Sequence, residues 1–297
     1  MTAKPAIALV AVPGRRKRAV ELAQEIERAG FAGIYCPTTG TDCMALAQAV
    51  AEATREIRVG TAVQPIYYRA PADLARHASF IQEVSGGRFE LGIGVSHAPS
   101  REALGVTAGK PLGDTRAYVE AMRAAEPSAG PLPPIILAAL RDKMLALSTE
   151  ISQGAVWACA SLRDVGPQMD RVPQTRRAGF FRGAVIPAVI DEDEAAAAGV
   201  IKTFLNGYLQ LPNYRNYWKA AGYGEEMARV EAAIGRGETT GLADLVDEAF
   251  MRDIALYGRA ARVRDGVDAW RAAGVDVPIL VPASVRGGQA TAVAEVI

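Results

Sequence analysis

Residues 86–97 read GGRFELGIGVSH and end on His97, one of two histidines in the chain. An imidazole titrates near neutrality, so a histidine just past a strand could donate or accept a proton. The alternatives are a hydrogen bond to a cofactor tail or a place in the loop. Gly92 and Gly94 leave room for close approach by a backbone or a ring. A second group with chemical potential is Arg141-Asp142-Lys143, which follows the apolar run IILAAL. Free N–H groups at a helix start bind anions, and Arg141 and Lys143 would add charge. The plain alternative is a solvated first turn.

Several chemistries find no footing. Gly92-Ile93-Gly94 is half of a dinucleotide fingerprint, but position 97 is histidine and no helix is expected immediately. GVTAGK at 105–110 is one residue short of a phosphate loop and lacks its hydroxyl. There is no HExxH and no GxSxG, and two distant histidines do not build a histidine-rich metal site, so no metal is expected. Cys36, Cys43 and Cys159 form no CxxC pair and read as reduced, in a cytoplasmic protein. Lysine plus arginine equal aspartate plus glutamate at 33 each, which argues against a nucleic-acid binder. No apolar run reaches the roughly 18 residues of a membrane span.

The elements that must position these groups alternate along 297 residues. Short apolar runs suit buried strands at 7–12, 33–37, 57–63, 88–95, 135–140, 155–160, 184–190 and 277–283. Pro187 weakens the seventh, because proline cannot donate to a ladder. Helical spacing fills most intervals, with caps expected at Asp42, Asp114 and Asp142, and stops at Gly30 and Gly86-Gly87. Eight strands, nearly all followed by helices, predict a single (β/α)8 TIM barrel over 1–297, with a helical insertion at 205–260 before the last strand. Chemistry in such a barrel sits at the C-terminal strand ends. Those ends include Pro37-Thr38-Thr39, Ala62-Val63-Gln64, Gly94 to His97, Ala139 to Arg141 and Cys159 to Ser161. They offer backbone groups and small residues but no carboxylate pair, which suits a flat, phosphate-tailed cofactor better than acid–base hydrolysis.

SGGRFELGIGVSHAP at 85–99 resembles the fourth-strand signature of the luciferase-like monooxygenase superfamily, as does the preceding APADLARHASFIQEV. AALRDKMLALSTEISQGA at 138–155 resembles its phosphate-holding segment. LNGYLQLPNYRNYWKAAGY at 205–223 resembles an insertion of the branch that uses the deazaflavin coenzyme F420. The resemblance implies a dimeric oxidoreductase that moves a hydride between F420 and a small organic substrate. It also implies a non-proline cis peptide at Ala62-Val63 under the ring. Gly94, Val95, Ser96 and His97 would surround the ring and its side chain. Ala139, Leu140 and Arg141 would bind phosphate, with Ser161 and Arg163 nearby. Many relatives carry an acid–histidine pair after strand two, whereas this chain has Pro37-Thr38. His97 is the expected catalytic substitute, with Tyr35, Tyr67 and Tyr68 behind it. Those tyrosines, Thr38, Asn213 and Tyr214 are expected on the substrate side. His77 and Tyr208 are expected to be structural. The alternatives are an FMN-dependent monooxygenase served by a partner reductase and a barrel that binds flavin or F420 without turnover.

Overall fold

A computed structural model of the chain describes residues 4–38 and 41–297. Met1 to Ala3, Thr39 and Gly40 lie outside the described residues, so the expected strand end at Thr39 does too. The strands are β1 Ala6–Ala8, β2 Gly33–Cys36, β3 Arg58–Thr61, β4 Gln64–Pro65, β5 Phe89–Gly94, β6 Ile135–Ala138, β7 Gly154–Ala158, β8 Phe181–Ile190, β9 Leu256–Gly258 and β10 Val277–Ala283. Their order is β10-β1-β2-β3-β5-β6-β7-β8-β9, with β8 also paired to β10 and β4 to β5. That order, with helices between successive parallel strands, is the (β/α)8 TIM barrel. The short β4 and β9 add to the eight barrel strands.

The described residues divide into two compact units. One takes in the chain up to Trp157 together with Val172–Gly183; the other is Ala158–Arg171 together with Ala184–Ile297. In the first unit, β2, β3 and β5 stand in register through Tyr35, Gly60 and Glu90. Ile34, Val59, Phe89 and Leu91 alternate with that set and are fully buried. Arg88 ties the layers together. Its guanidinium donates to the carbonyls of Ala51, Thr54, Ile57 and Ser85, so one side chain satisfies the open end of the helix Cys43–Ala53 and the turn before β3.

Local signals explain the helix limits. Asp42 accepts from the Met44 and Ala45 amides and starts its helix, while Asp193 does the same for Ala195 and Ala196. The helix Arg16–Arg28 stops before Gly30, and Pro71–Val84 stops before Gly86-Gly87; all three glycines have positive φ. Two expected caps are corrected. Pro111 opens the helix Pro111–Ala129, because its fixed φ suits the first position, and Asp114 lies inside the first turn. Arg141, not Asp142, is the boundary residue of Asp142–Ile151. A helix, Ala98–Ala103, does open directly after His97, started by Pro99 in its first turn, contrary to the sequence expectation. β8 runs straight through Pro187. No described helix is long and apolar enough to cross a membrane.

Candidate functional site at the ends of β3, β5 and β6

The first unit assembles its C-terminal strand ends around one irregularity. After β3 the Ala62–Val63 peptide is cis, and the chain resumes as β4 beside β5, with Gln64 opposite Ile93 and Pro65 opposite Gly94. The Thr61 hydroxyl donates to the Gly92 carbonyl at 2.7 Å. This step presses directly on β5. A methyl at Gly92 would overlap the Thr61 carbonyl oxygen, and one at Gly94 would lie 2.9 Å from the Ala138 Cβ and 3.0 Å from a Val63 methyl. The glycine pair therefore admits the protein's own chain. Ala62 and Val63 remain half-exposed.

The step is anchored from beneath. The Thr38 hydroxyl lies 3.2 Å from the Val63 carbonyl and 2.9 Å from the Cys43 sulfur. Cys43 in turn donates to the Gln64 side-chain oxygen Oε1 at 3.1 Å, and the Gln64 side-chain Nε2 donates to the Pro65 carbonyl. Burial pushes the Cys43 thiol up to about 12, so it stays protonated and serves as a donor. Gln64 was expected only as part of a strand end, and nothing in the sequence pattern advertised Cys43; their roles depend on a turn that only the fold creates.

Beyond Gly94 come Val95, Ser96 and His97, all half-buried. Ser96 has φ +59, a left-handed conformation rare outside glycine, asparagine and aspartate. His97 is the boundary residue of the following helix. Burial first, and the Arg101 charge second, hold its imidazole below the usual value, so it is neutral around pH 7. A neutral imidazole can accept a proton. Tyr67 donates to Asp114 at 2.6 Å, and the same carboxylate oxygen accepts the Gly109 N–H at 2.8 Å. Burial and the Asp114 carboxylate push the Tyr67 phenol up to about 12. Tyr68 is exposed.

Tyr35 stands elsewhere. It is 2% exposed, donates to Glu90 and fills the space over Gly60, where a Cβ would come within 2.6 Å of its ring. Phe181 packs against it with ring centroids 5.9 Å apart. These contacts hold it one residue short of the end of β2, within the packed face.

At the end of β6 the Ala139 N–H is spent on the Val156 carbonyl. Arg141 is exposed, and its side chain has no partner among the described residues. Its carbonyl accepts from Met144 and Leu145, the first bonds of the helix Asp142–Ile151. A free guanidinium beside the opening amides of a helix is suited to an anion.

The second unit contains Ser161 and Arg163, and there the donors are engaged. The Ser161 hydroxyl and the Tyr223 hydroxyl both donate to Asp253, the latter at 2.9 Å. The Arg163 amide donates to the other Asp253 oxygen at 3.0 Å, and its guanidinium lies 4.4 Å from the centre of the Tyr223 ring. Asp253 already fills the anion position at this turn. Tyr214 is buried at 5% exposure in an aromatic row with Tyr208, at 4.9 Å between centroids, and Trp218, at 5.5 Å. Trp218 donates to the Cys159 carbonyl. Asn213 is exposed on the same short helix, Pro212–Ala220. Tyr208 stacks on Phe204, and His77 pairs with Gln48 at 3.1 Å.

Comparison with known proteins places this geometry in context. The family described as luciferase-like monooxygenase matches residues 3–277. A Mycobacterium tuberculosis chain named as a coenzyme F420-dependent oxidoreductase, Rv3520c, is 27% identical over 90% of this chain and 91% of its own length. The coenzyme F420-dependent tetrahydromethanopterin reductase of Methanopyrus kandleri superposes with a TM-score of 0.78 at 18% identity, over 100% of this chain and 97% of that one. The oxygenating constituent of 3,6-diketocamphane monooxygenase from Pseudomonas putida, in complex with FMN, superposes with a TM-score of 0.65 at 14% identity, over 95% and 91% of the two chains.

Proposed function

The chain belongs to the luciferase-like monooxygenase family and is an oxidoreductase, and from that premise we propose that it uses coenzyme F420 to move a hydride to or from a small organic substrate. The observation that carries the reading is the pairing, within one unit, of a half-exposed apolar ledge with a cation that has no partner among the described residues. Ala62, Val63 and Val95 form the ledge at the ends of β3 and β5, and Arg141 stands at the end of the adjacent β6. A flat ring with an anionic tail matches that donor set, which has no carboxylate pair to repel it. The relative that bears an F420-dependent name and spans nearly the whole chain favours F420 over FMN.

Bound F420 supplies the hydride donor or acceptor. The chain's own residues do the rest. Ala62 and Val63, fixed by Thr38, Cys43 and Gln64, give the ring a firm surface. Gly94, Val95 and Ser96 border it. Leu140 and Arg141 hold the phosphate, with Ala139 setting the turn through its bond to Val156. Ser161 and Arg163 are bound to Asp253 in the second unit and are given no part in the phosphate contact. His97, neutral at pH 7, takes the proton that accompanies hydride removal, or returns it in the reverse direction. Thr38, Tyr67 and Tyr68 stand on the substrate side of this unit. Tyr35 acts at most through Glu90, given its burial.

The same reading has a cytoplasmic homodimer. Phe80 and Val84, exposed one turn apart on the helix Pro71–Val84, are residues that a second copy would cover. A second reading, an FMN monooxygenase, rests on the FMN-bound structural neighbour.

Arg141→Ala tests the phosphate assignment. Titration of F420 fluorescence should show binding weakened by about tenfold, the scale of one charge-assisted hydrogen bond. Unchanged affinity would remove Arg141 from the site.

A further inference from the structure

Arg101 lies on the helix Ala98–Ala103 and was not singled out by the sequence pattern. One of its nitrogens, Nη1, donates to the Val95 carbonyl at 3.2 Å and to the Ser96 carbonyl at 2.7 Å. Its main-chain N–H donates to the His97 carbonyl at 3.1 Å. Three successive carbonyls of the turn therefore converge on one residue. In an extended strand consecutive carbonyls point to opposite sides; Ser96, at φ +59, departs from the extended form, and its own carbonyl and the preceding one both reach the Arg101 guanidinium. A left-handed non-glycine residue is strained and persists only where its surroundings impose it. The guanidinium supplies that imposition. It is also held from the far side: it lies 6.0 Å from the centre of the Tyr67 ring, and Tyr67 is fixed by Asp114.

We propose that Arg101 is a positioning residue: it clamps the Val95–Ser96 turn in its left-handed form and so sets where the His97 ring stands. That this turn serves the reaction rests on the F420 reading above; the clamp does not. Arg101 touches no reacting atom in this account. It acts through Ser96 and His97.

The proposal separates a backbone effect from a charge effect. Arg101→Ala removes both the clamp and the charge. Adding Ser96→Gly restores only the backbone, because glycine takes positive φ at no steric cost. The chain has two histidines, so the imidazole signals can be followed one by one by NMR, with His77 as an internal control. In the free protein, Arg101→Ala is expected to move or broaden the His97 signal and leave His77 in place. The double variant is expected to recover at least half of that displacement, and Ser96→Gly alone to stay near the wild type. F420 affinity should fall about tenfold in Arg101→Ala, the scale of one charge-assisted hydrogen bond, and recover in the double variant. A His97 signal unchanged in Arg101→Ala overturns the proposal. So does a displaced signal that glycine fails to restore, since the effect would then be charge alone. If the NMR pattern holds while the wild type ignores F420, the clamp stands and the cofactor reading fails.

Discussion

Glu90 shows how a single buried residue can be read in both directions. Burial raises its carboxyl above the usual value, while the Tyr35 hydroxyl and Arg58 pull the other way and only partly compensate. The folded state thus binds this proton more readily than the unfolded chain. Stability from this group is present at low pH and is lost as pH rises through the raised value. Glu90→Gln keeps an oxygen to accept from Tyr35 and removes the charge. Its melting temperature should exceed that of the wild type at pH 7, with the gap closing toward pH 4; an equal gap at both pH values would refute the burial argument. Residue types at strand ends were legible beforehand: His97, Arg141 and Thr38 all lie where the strand pattern put them. Their partners were not. Arg101, Asp253 and Cys43 act across 5 to 92 positions of sequence, and such pairings carry no local signature.

At the scale of elements, the informative feature is β5. The pattern LGIGV suggested room for close approach inside the barrel and, at Gly94, by a ring, and the structure gives that room to the step between β3 and β4. Gly92→Ala should therefore cost ~2 kcal/mol or more in denaturant unfolding, since the obstacle is backbone and cannot rotate away. A cost below ~0.5 kcal/mol, the size of an ordinary surface change, would show that the step can yield. Gly86-Gly87 as a helix stop and Asp42 as a cap follow from intrinsic conformational preferences, which is why they could be read from sequence. The helix after β6 has its boundary at Arg141, one residue before the expected cap Asp142, and the expected cap at Asp114 failed because neighbours competed for it. Proline opened one helix earlier, and the Tyr67 hydroxyl and Gly109 amide took the Asp114 carboxylate. The short β9 was missed because three residues are too few to show a period.

For the whole molecule, alternation of strands and helices over this length was enough to reach the barrel, because each strand needs a helix to return in parallel. Chemistry is less legible at that scale, since one barrel serves many reactions. Under the proposed reading, the ledge at Ala62 and Val63, the turn at Ser96 and Arg141, whose side chain has no partner among the described residues, would suit a ring with an anionic tail. The most direct measurement mixes the purified protein with F420 and with FMN in separate titrations and follows fluorescence quenching. The account predicts saturable binding of F420 at least tenfold tighter than FMN, about 1.4 kcal/mol. Saturable FMN binding with no response to F420 would contradict it.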